Sequence, residues 1–296
     1  MNIAVGAQRL GLNTALLTAV GEDKVGDFIL NFLRRENVST EFIPRVKKAR
    51  SSAVVLGIEP PDRFPLVFYR DNAADMEITI SDVEKIDFTR FKAVEVSATA
   101  LSRDPSRSAT FFAAERAVDS QLPVILDLDF RADQWYDIRA FGVNVRAFLK
   151  YCKVAIGTNE EILAAVLKSK DQLVIKDQQI SAPEITGDVE EGINTILASG
   201  IDLLVFKTGK EGSKLYYPNE RMIEVDGFPV EVLNILGAGD GFAGGFIYGY
   251  VQGWDDVKCC RLANACGAYL VTQPGCANFS PTLTQINEFV EERGGY

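Results

Sequence analysis

Two hydrophobic periods alternate along this chain. Residues 2–10 carry apolar side chains at helical spacing, Asn13 to Val20 reads as a strand, and Phe28, Ile29, Phe32 and Leu33 mark a second helix. Between Glu41 and Tyr69 the texture becomes β-rich in three runs, EFIPRV, SAVVLGIE and FPLVFYR. The last two are separated by a turn-forming Pro60, Pro61 and Asp62, and the cluster predicts a small antiparallel sheet. From about residue 80 the apolar strands AVEVSA, PVILDLD, VAIGT and LLVFKTG are spaced by helical stretches such as RSATFFAAERAVDS and VEEGINTILASG. Such alternation implies βαβ units with right-handed crossovers and a parallel sheet. The predicted fold class is therefore α/β: a central, mostly parallel sheet with flanking helices, formed by residues 1–37 and 77–296. A small β lid is expected over residues 38–76.

In an open parallel sheet, ligands sit beyond the carboxyl ends of the strands. That rule directs attention to four post-strand clusters: Asp127, Asp129 and Arg131; Thr158, Glu160 and Glu161; Lys207 and Gly209; Gly237, Gly239 and Asp240.

Composition narrows the chemistry. With 47% apolar and 24% charged residues in 296, the chain can bury a sizeable core. A net charge of −10 repels a nucleic-acid backbone, so nucleic acid is not an expected partner. No apolar window approaches the ~18 residues of a membrane span, and MNIAVGAQRLGL lacks the basic and apolar regions of a signal peptide. These features point to a cytoplasmic protein without a membrane partner. The five cysteines form no C-x-x-C pair and read as reduced, structural residues. There is no histidine, which removes Ser-His-Asp and Cys-His machinery and disfavours catalytic zinc. Chemistry must run on carboxylates, lysine, arginine and backbone dipoles.

The run EVLNILGAGDGFAGGFIYGYVQG concentrates that chemistry. A strand-like segment ends at Leu236, glycines follow, and a helix begins with Phe242, Phe246 and Tyr250 at helical spacing. Glycines at such a junction let N–H groups converge at the positive end of the helix dipole, which suits an anion. Asp240 sits at the lip of that pocket, where a carboxylate can orient an alcohol and accept its proton during phosphoryl transfer. The donors of Gly237, Ala238 and Gly239 can stabilise charge on the transferred group. Two other readings stay open. Gly239, Gly241 and Gly244 also fit G-x-G-x-x-G, the dinucleotide fingerprint, and the segment also suits a plain glycine turn with an aspartate at the helix start. GKEGSK is not a P-loop, because its lysine spacing is wrong.

With these residues in view, the chain resembles the ribokinase-like, phosphofructokinase-B type sugar kinases, whose signature centres on GAGD before a helix. NIAVGAQRLGL, VGEDKVGDFI, LDLDFRADQW, FKTGKEGS and ANACGAYLVTQPGCANFSP are similar to further family motifs in the same order. Within the family, FPLVFYRDNAADMEI together with DFRADQW and VLNILGAGD is most similar to the subgroup acting on a keto-deoxy sugar acid, 5-dehydro-2-deoxygluconate, in inositol catabolism. The resemblance implies ATP and Mg2+ as cofactors, a monovalent cation besides, a small sugar or sugar acid as partner, and homodimer contacts through the lid. It implies Asp240 as base and Gly237, Ala238 and Gly239 as anion hole. Glu161 would support magnesium through water, with Glu160 as the alternative in register. Thr158, Thr208, Gly209 and Gly212 would line the nucleotide, and Asn264 would lie near adenine. Asn2, Arg70, Asp129 and Arg131 would contact the sugar. Competing readings stand beside several of these: Arg70 as a solvated β-edge residue, Arg131 in an ion pair with Asp127 or Asp133, the 158–161 cluster as a helix N-terminus, and Asn264 as a backbone-bonded core asparagine.

The chain departs from the family at Asn234, usually acidic, and at Gly241, usually alanine. Family members also begin with a strand, a sugar-contacting aspartate and a glycine pair before the segment that starts here at Asn2. The expectation is thus a sheet lacking one central strand, with reduced stability and activity. A non-catalytic sugar or nucleotide binder and a dinucleotide-dependent oxidoreductase are the rival functions.

Overall fold

The protein is described here by a computed structural model that covers residues 1–57, 66–175 and 183–296; the expected turn at Pro60 to Asp62 lies outside the described residues. Helix α1 (Asn2–Arg9) buries Ile3, Val5 and Ala7. The strand expected over Asn13 to Val20 shrinks to β1 (Val20–Gly21) plus one parallel bridge between Ala15 and Ser39. The Thr14 N–H is taken by the Gln8 side chain at 2.9 Å, while Ser39 donates to the Thr14 oxygen at 2.9 Å and accepts from Leu16 at 3.3 Å, which limits the pairing to that bridge. Helix α2 (Lys24–Arg35) starts at Asp23, whose carboxylate accepts the Gly26 N–H at 2.7 Å. It buries Leu30 and Leu33 and leaves Phe28 64% exposed, so its inward stripe is rotated from the one the apolar residues suggested.

Of the three β-rich runs, the first contributes β2 (Arg45–Val46), which pairs in parallel with β1 and not with the other two. Strands β3 (Ala53–Leu56) and β4 (Leu66–Tyr69) form an antiparallel pair. The short helix α3 (Ile80–Val83) leads into the main sheet.

The core alternates as its apolar pattern predicts: β5 (Val94–Ser97), α4 (Ser106–Asp119), β6 (Val124–Asp127), α5 (Arg139–Phe148), β7 (Val154–Gly157), α6 (Asn159–Ala165). A small antiparallel pair, β8 (Leu173–Val174) and β9 (Glu184–Ile185), precedes α7 (Val189–Leu197) and β10 (Leu203–Lys207). Then come β11 (Gly212–Tyr216), β12 (Met222–Asp226), α8 (Ala238–Val251), α9 (Asp256–Val271) and α10 (Leu283–Glu291). Among the described residues the central sheet has six strands in the order β12-β11-β10-β7-β6-β5. Strands β5, β6, β7 and β10 run parallel, and β11 and β12 complete the sheet antiparallel.

Helices cover both faces, which is why β6 and β7 are buried throughout and read as unbroken apolar runs. On one face Val96, Leu126, Ala155 and Leu204 pack with residues of α4, α5 and α7. On the other, Ile125, Ile156 and Val205 meet Phe242 and Phe246 of α8 and Cys259, Cys260 and Ala263 of α9. All five cysteines are unbridged, and four are buried. No described helix is long and apolar enough to cross a membrane. The four parallel strands end side by side at Ser97, Asp127, Gly157 and Lys207, and α8 begins near that edge.

Candidate active site

The segment before α8 is loop, not the strand its composition suggested: β12 ends at Asp226, and Val232, Leu233 and Ile235 are about half exposed. The segment's backbone pairs with a helix end instead of a strand: the N–H groups of Leu233 and Asn234 donate to the Val271 oxygen at 2.8 and 3.1 Å. At Gly237 the backbone turns through φ 84°, and a Cβ there would lie 2.7 Å from the Cys276 Cβ, so only glycine fits. The first N–H groups of α8 have no intrahelical acceptor, and the helix dipole adds positive potential where they point. Asp240 lies in that first turn.

Close packing of α1 on α8 fixes the aspartate. A Cβ at Gly244 would sit 3.3 Å from the Ala7 nitrogen and 3.4 Å from the Ile3 oxygen, so the two backbones approach there. That contact carries the Asn2 amide to Asp240, with Nδ2 donating to Oδ2 at 2.9 Å. Burial and the Asp129 charge raise the Asp240 pKa, while the Asn2 bond, the amino terminus and Arg131 oppose the rise. A carboxylate so placed is a stronger base than one in water.

Asn2 and Asp240 line a cleft of about 830 Å3, together with Arg70, Glu95, Ser97 and Asp129. Asp129 adopts φ 27°, an uncommon backbone conformation for a residue with a side chain. Its Oδ2 accepts the Ser97 hydroxyl at 3.0 Å and its Oδ1 takes the Arg131 guanidinium at 2.7 Å. Arg131 thus pairs with Asp129, not with Asp127 or Asp133. Arg70 donates to Asp75, Gln134 and the Met76 sulfur, and is not a free solvated edge residue.

On the other flank of the helix start, Lys207 Nζ lies 3.3 Å from Asp127 Oδ1 and 3.4 Å from Glu161 Oε2. A Cβ on Gly239 would be 3.5 Å from the same Nζ. Glu161 also caps its own helix: its Oε2 accepts the Thr158 N–H at 2.7 Å, and Thr158 Oγ1 returns the bond to the Glu161 N–H. Glu160 is half-buried beside it. Among the described residues no three acidic or thiol groups cluster as a metal cage.

After β10, the Thr208 N–H bonds the Gly212 oxygen at 2.9 Å and closes a tight turn. Gly212, at φ 107°, has no room for a Cβ, which would fall 2.2 Å from the Val225 oxygen; the space beside Gly209 is open within 4 Å. Asn264 is buried and donates to the carbonyls of Val225 and Asp226, tying α9 to β12 and leaving its Oδ1 without a part in those bonds.

Glu95, Ser97 and the ion-pair role of Lys207 escaped the sequence reading. The available signal was a charge inside an apolar strand, in VEVS and in LLVFK. Glu95 keeps a buried oxygen without a partner, and burial, with Asp127, Asp240 and Asp129 nearby, pushes its pKa up to about 8.

Comparisons with known proteins show the family and the fold. The model of the pfkB family carbohydrate kinases matches residues 1–283. A 5-dehydro-2-deoxygluconokinase of Clostridium botulinum (strain Alaska E43 / Type E3) is 29% identical over 293 residues, spanning 99% of this chain and 83% of that one. Fructokinase from Vibrio cholerae O395, solved with fructose, ADP and calcium ion, is similar at TM-score 0.82 and 26% identity, over 97% of this chain and 89% of that chain. A putative ribokinase II from E. coli, in complex with ATP and Mg2+, shares the fold at TM-score 0.81 and 21% identity, over 98% of this chain and 87% of that chain. The family match sets aside the dinucleotide reading of the glycine run. The chain belongs to the pfkB family of carbohydrate kinases.

Proposed function

We propose that this protein transfers the γ-phosphoryl group of ATP to a hydroxyl of a keto-deoxy sugar acid resembling 5-dehydro-2-deoxygluconate. The observation that carries the reading is Asp240 at the first turn of α8, held by Asn2 and facing the cleft that also contains Asp129. Asp240 takes the proton from the acceptor hydroxyl as the new O–P bond forms. The N–H groups at Gly237 and Gly239 receive the negative charge that builds on the transferred group, and that of Ala238 joins them by giving up its bond to the Ile235 oxygen at 3.3 Å. The turn at Thr208, Gly209 and Gly212 and the Asn264 region take the nucleotide, with Thr158 beside its phosphates. Magnesium, held through water near Glu161 and Glu160, would lower the repulsion among the phosphate oxygens.

A sugar acid is favoured over a neutral sugar by Arg131 and Arg70, whose planar donors suit a carboxylate. Both are engaged with aspartates, so the incoming carboxylate shares them with Asp129 and Asp75. The β3–β4 pair acts as the lid within residues 38–76, and its exposed Val55, Val67 and Tyr69 offer a surface for a second copy. An ADP-release assay over neutral sugars and keto-deoxy sugar acids tests the proposal. Preferential release with the sugar acid is expected. Release with neutral hexoses alone would keep the kinase and discard the substrate assignment.

A further inference from the structure

Lys207 ends a strand whose other side chains are apolar, and its own side chain is only 11% exposed. A buried ammonium needs compensation, and Asp127 and Glu161 supply it at 3.3 and 3.4 Å. One lysine against two carboxylates leaves a surplus negative charge in the group. A cluster of one cation and two carboxylates with so little exposure is costly if its only role is structural. It becomes intelligible if the cation has a second partner for part of the reaction cycle.

Geometry identifies where that partner sits. An ammonium has three donors. One is given to Asp127, Glu161 lies within ion-pair distance, and the Nζ also borders Gly239, where the absent side chain leaves room against the first turn of α8. That turn is where the N–H groups of the anion hole point. We infer that Lys207 is a catalytic residue that contacts the transferring phosphoryl group, with Asp127 and Glu161 holding it in place between turnovers.

The inference rests on the phosphoryl-transfer reading above. In that step the acceptor oxygen bonds to the γ-phosphorus, the bond from phosphorus to the ADP oxygen breaks, and the acceptor proton goes to Asp240. Charge then spreads over the equatorial phosphoryl oxygens, which face the helix start and the Lys207 ammonium. No proton leaves Lys207. Because it acts at the γ position, ATP gains from it and ADP does not.

The test compares Lys207→Arg, Lys207→Met and the double variant Lys207→Met/Asp127→Asn, which also removes one of the two carboxylates that the lysine compensated. ATP and ADP affinities are measured by calorimetry, unfolding temperature by a thermal scan, and kcat and KM for the sugar by ADP release. The expected result is a loss of roughly 10-fold or more in ATP affinity in both Met variants with ADP affinity nearly unchanged, and a kcat lower by about 10²–10³ with sugar KM retained. Arginine should restore part of both. A double variant that melts like the parent, keeps its preference for ATP over ADP and turns over normally would overturn the inference and leave Lys207 a partner of carboxylates only. If the parent phosphorylates none of the sugars tried, the functional reading fails, yet the ATP-over-ADP comparison still decides the role of Lys207.

Discussion

The unpaired oxygen of Glu95 sets a pH dependence on the whole fold. Unfolded, this carboxyl releases its proton near 4.5; folded, it holds the proton to about 8. Folding therefore takes up a proton across that window, and stability falls as pH rises through it. Asp127, raised to about 7, adds a slope of the same sign. Asp23 opposes at the acid end: its pKa is lowered by the Ser51 and Gly26 N–H groups, so its contribution is lost as pH falls below the ordinary carboxylate range. Glu95→Gln removes a charge that has no partner and keeps the side-chain shape. Its gain in unfolding temperature is predicted to be larger at about pH 8 than at about pH 5. Equal shifts at both pH values would mean the Glu95 carboxyl is solvated in the folded protein. Single-residue roles were legible only where local spacing reveals them. Gly237, Gly239 and Asp240 stand next to one another, but Asn2 meets Asp240 across 238 positions and Lys207 meets Asp127 across 80. No period or motif in one sequence carries such a pairing; packing of α1 on α8 and the parallel order of β6, β7 and β10 create it.

At the scale of elements, strands buried on both faces are marked by composition alone, whereas β5, β3 and β4 were read from apolar runs despite their exposure. β6, β7 and β10 are apolar runs because helices cover both sides, and composition marks them directly. β11 and β12 mix exposed and buried positions at the sheet edge, so their sequence carries less signal. The residues before Gly237 misled for the opposite reason: Val232, Leu233 and Ile235 are apolar yet surface-facing. As the proposed lid, the β3–β4 pair would work by moving. Its residues Val54, Val55, Val67 and Tyr69 are exposed, so few internal contacts hold it in one position. Closure over a bound sugar would exclude water that otherwise diverts ATP to hydrolysis. Hydrogen exchange should therefore slow at residues 41–57 and 66–70 when the sugar is added, without matching protection in α9 or α10. Unchanged exchange in a preparation that binds sugar would remove the lid from the mechanism.

For the whole molecule, the proposed function requires a net charge of −10 and a cleft with Glu95, Asp129 and Asp240 to admit anionic substrates. On that proposal the α8 dipole, Lys207, Arg131 and Arg70 would be set against the surrounding acidity. Sheet order, two helical layers and a site at the carboxyl ends of the strands follow from the βαβ alternation, which is why the architecture was legible before the site was complete. The central claim is that Asp240 is the base for phosphoryl transfer to a sugar hydroxyl. The most direct measurement is sugar-dependent ADP release by the parent and by Asp240→Asn, with ATP affinity determined on the same preparations. The account predicts a fall of about 10²–10⁴ in kcat with ATP affinity preserved. An Asp240→Asn protein that releases ADP at the parent rate would contradict it.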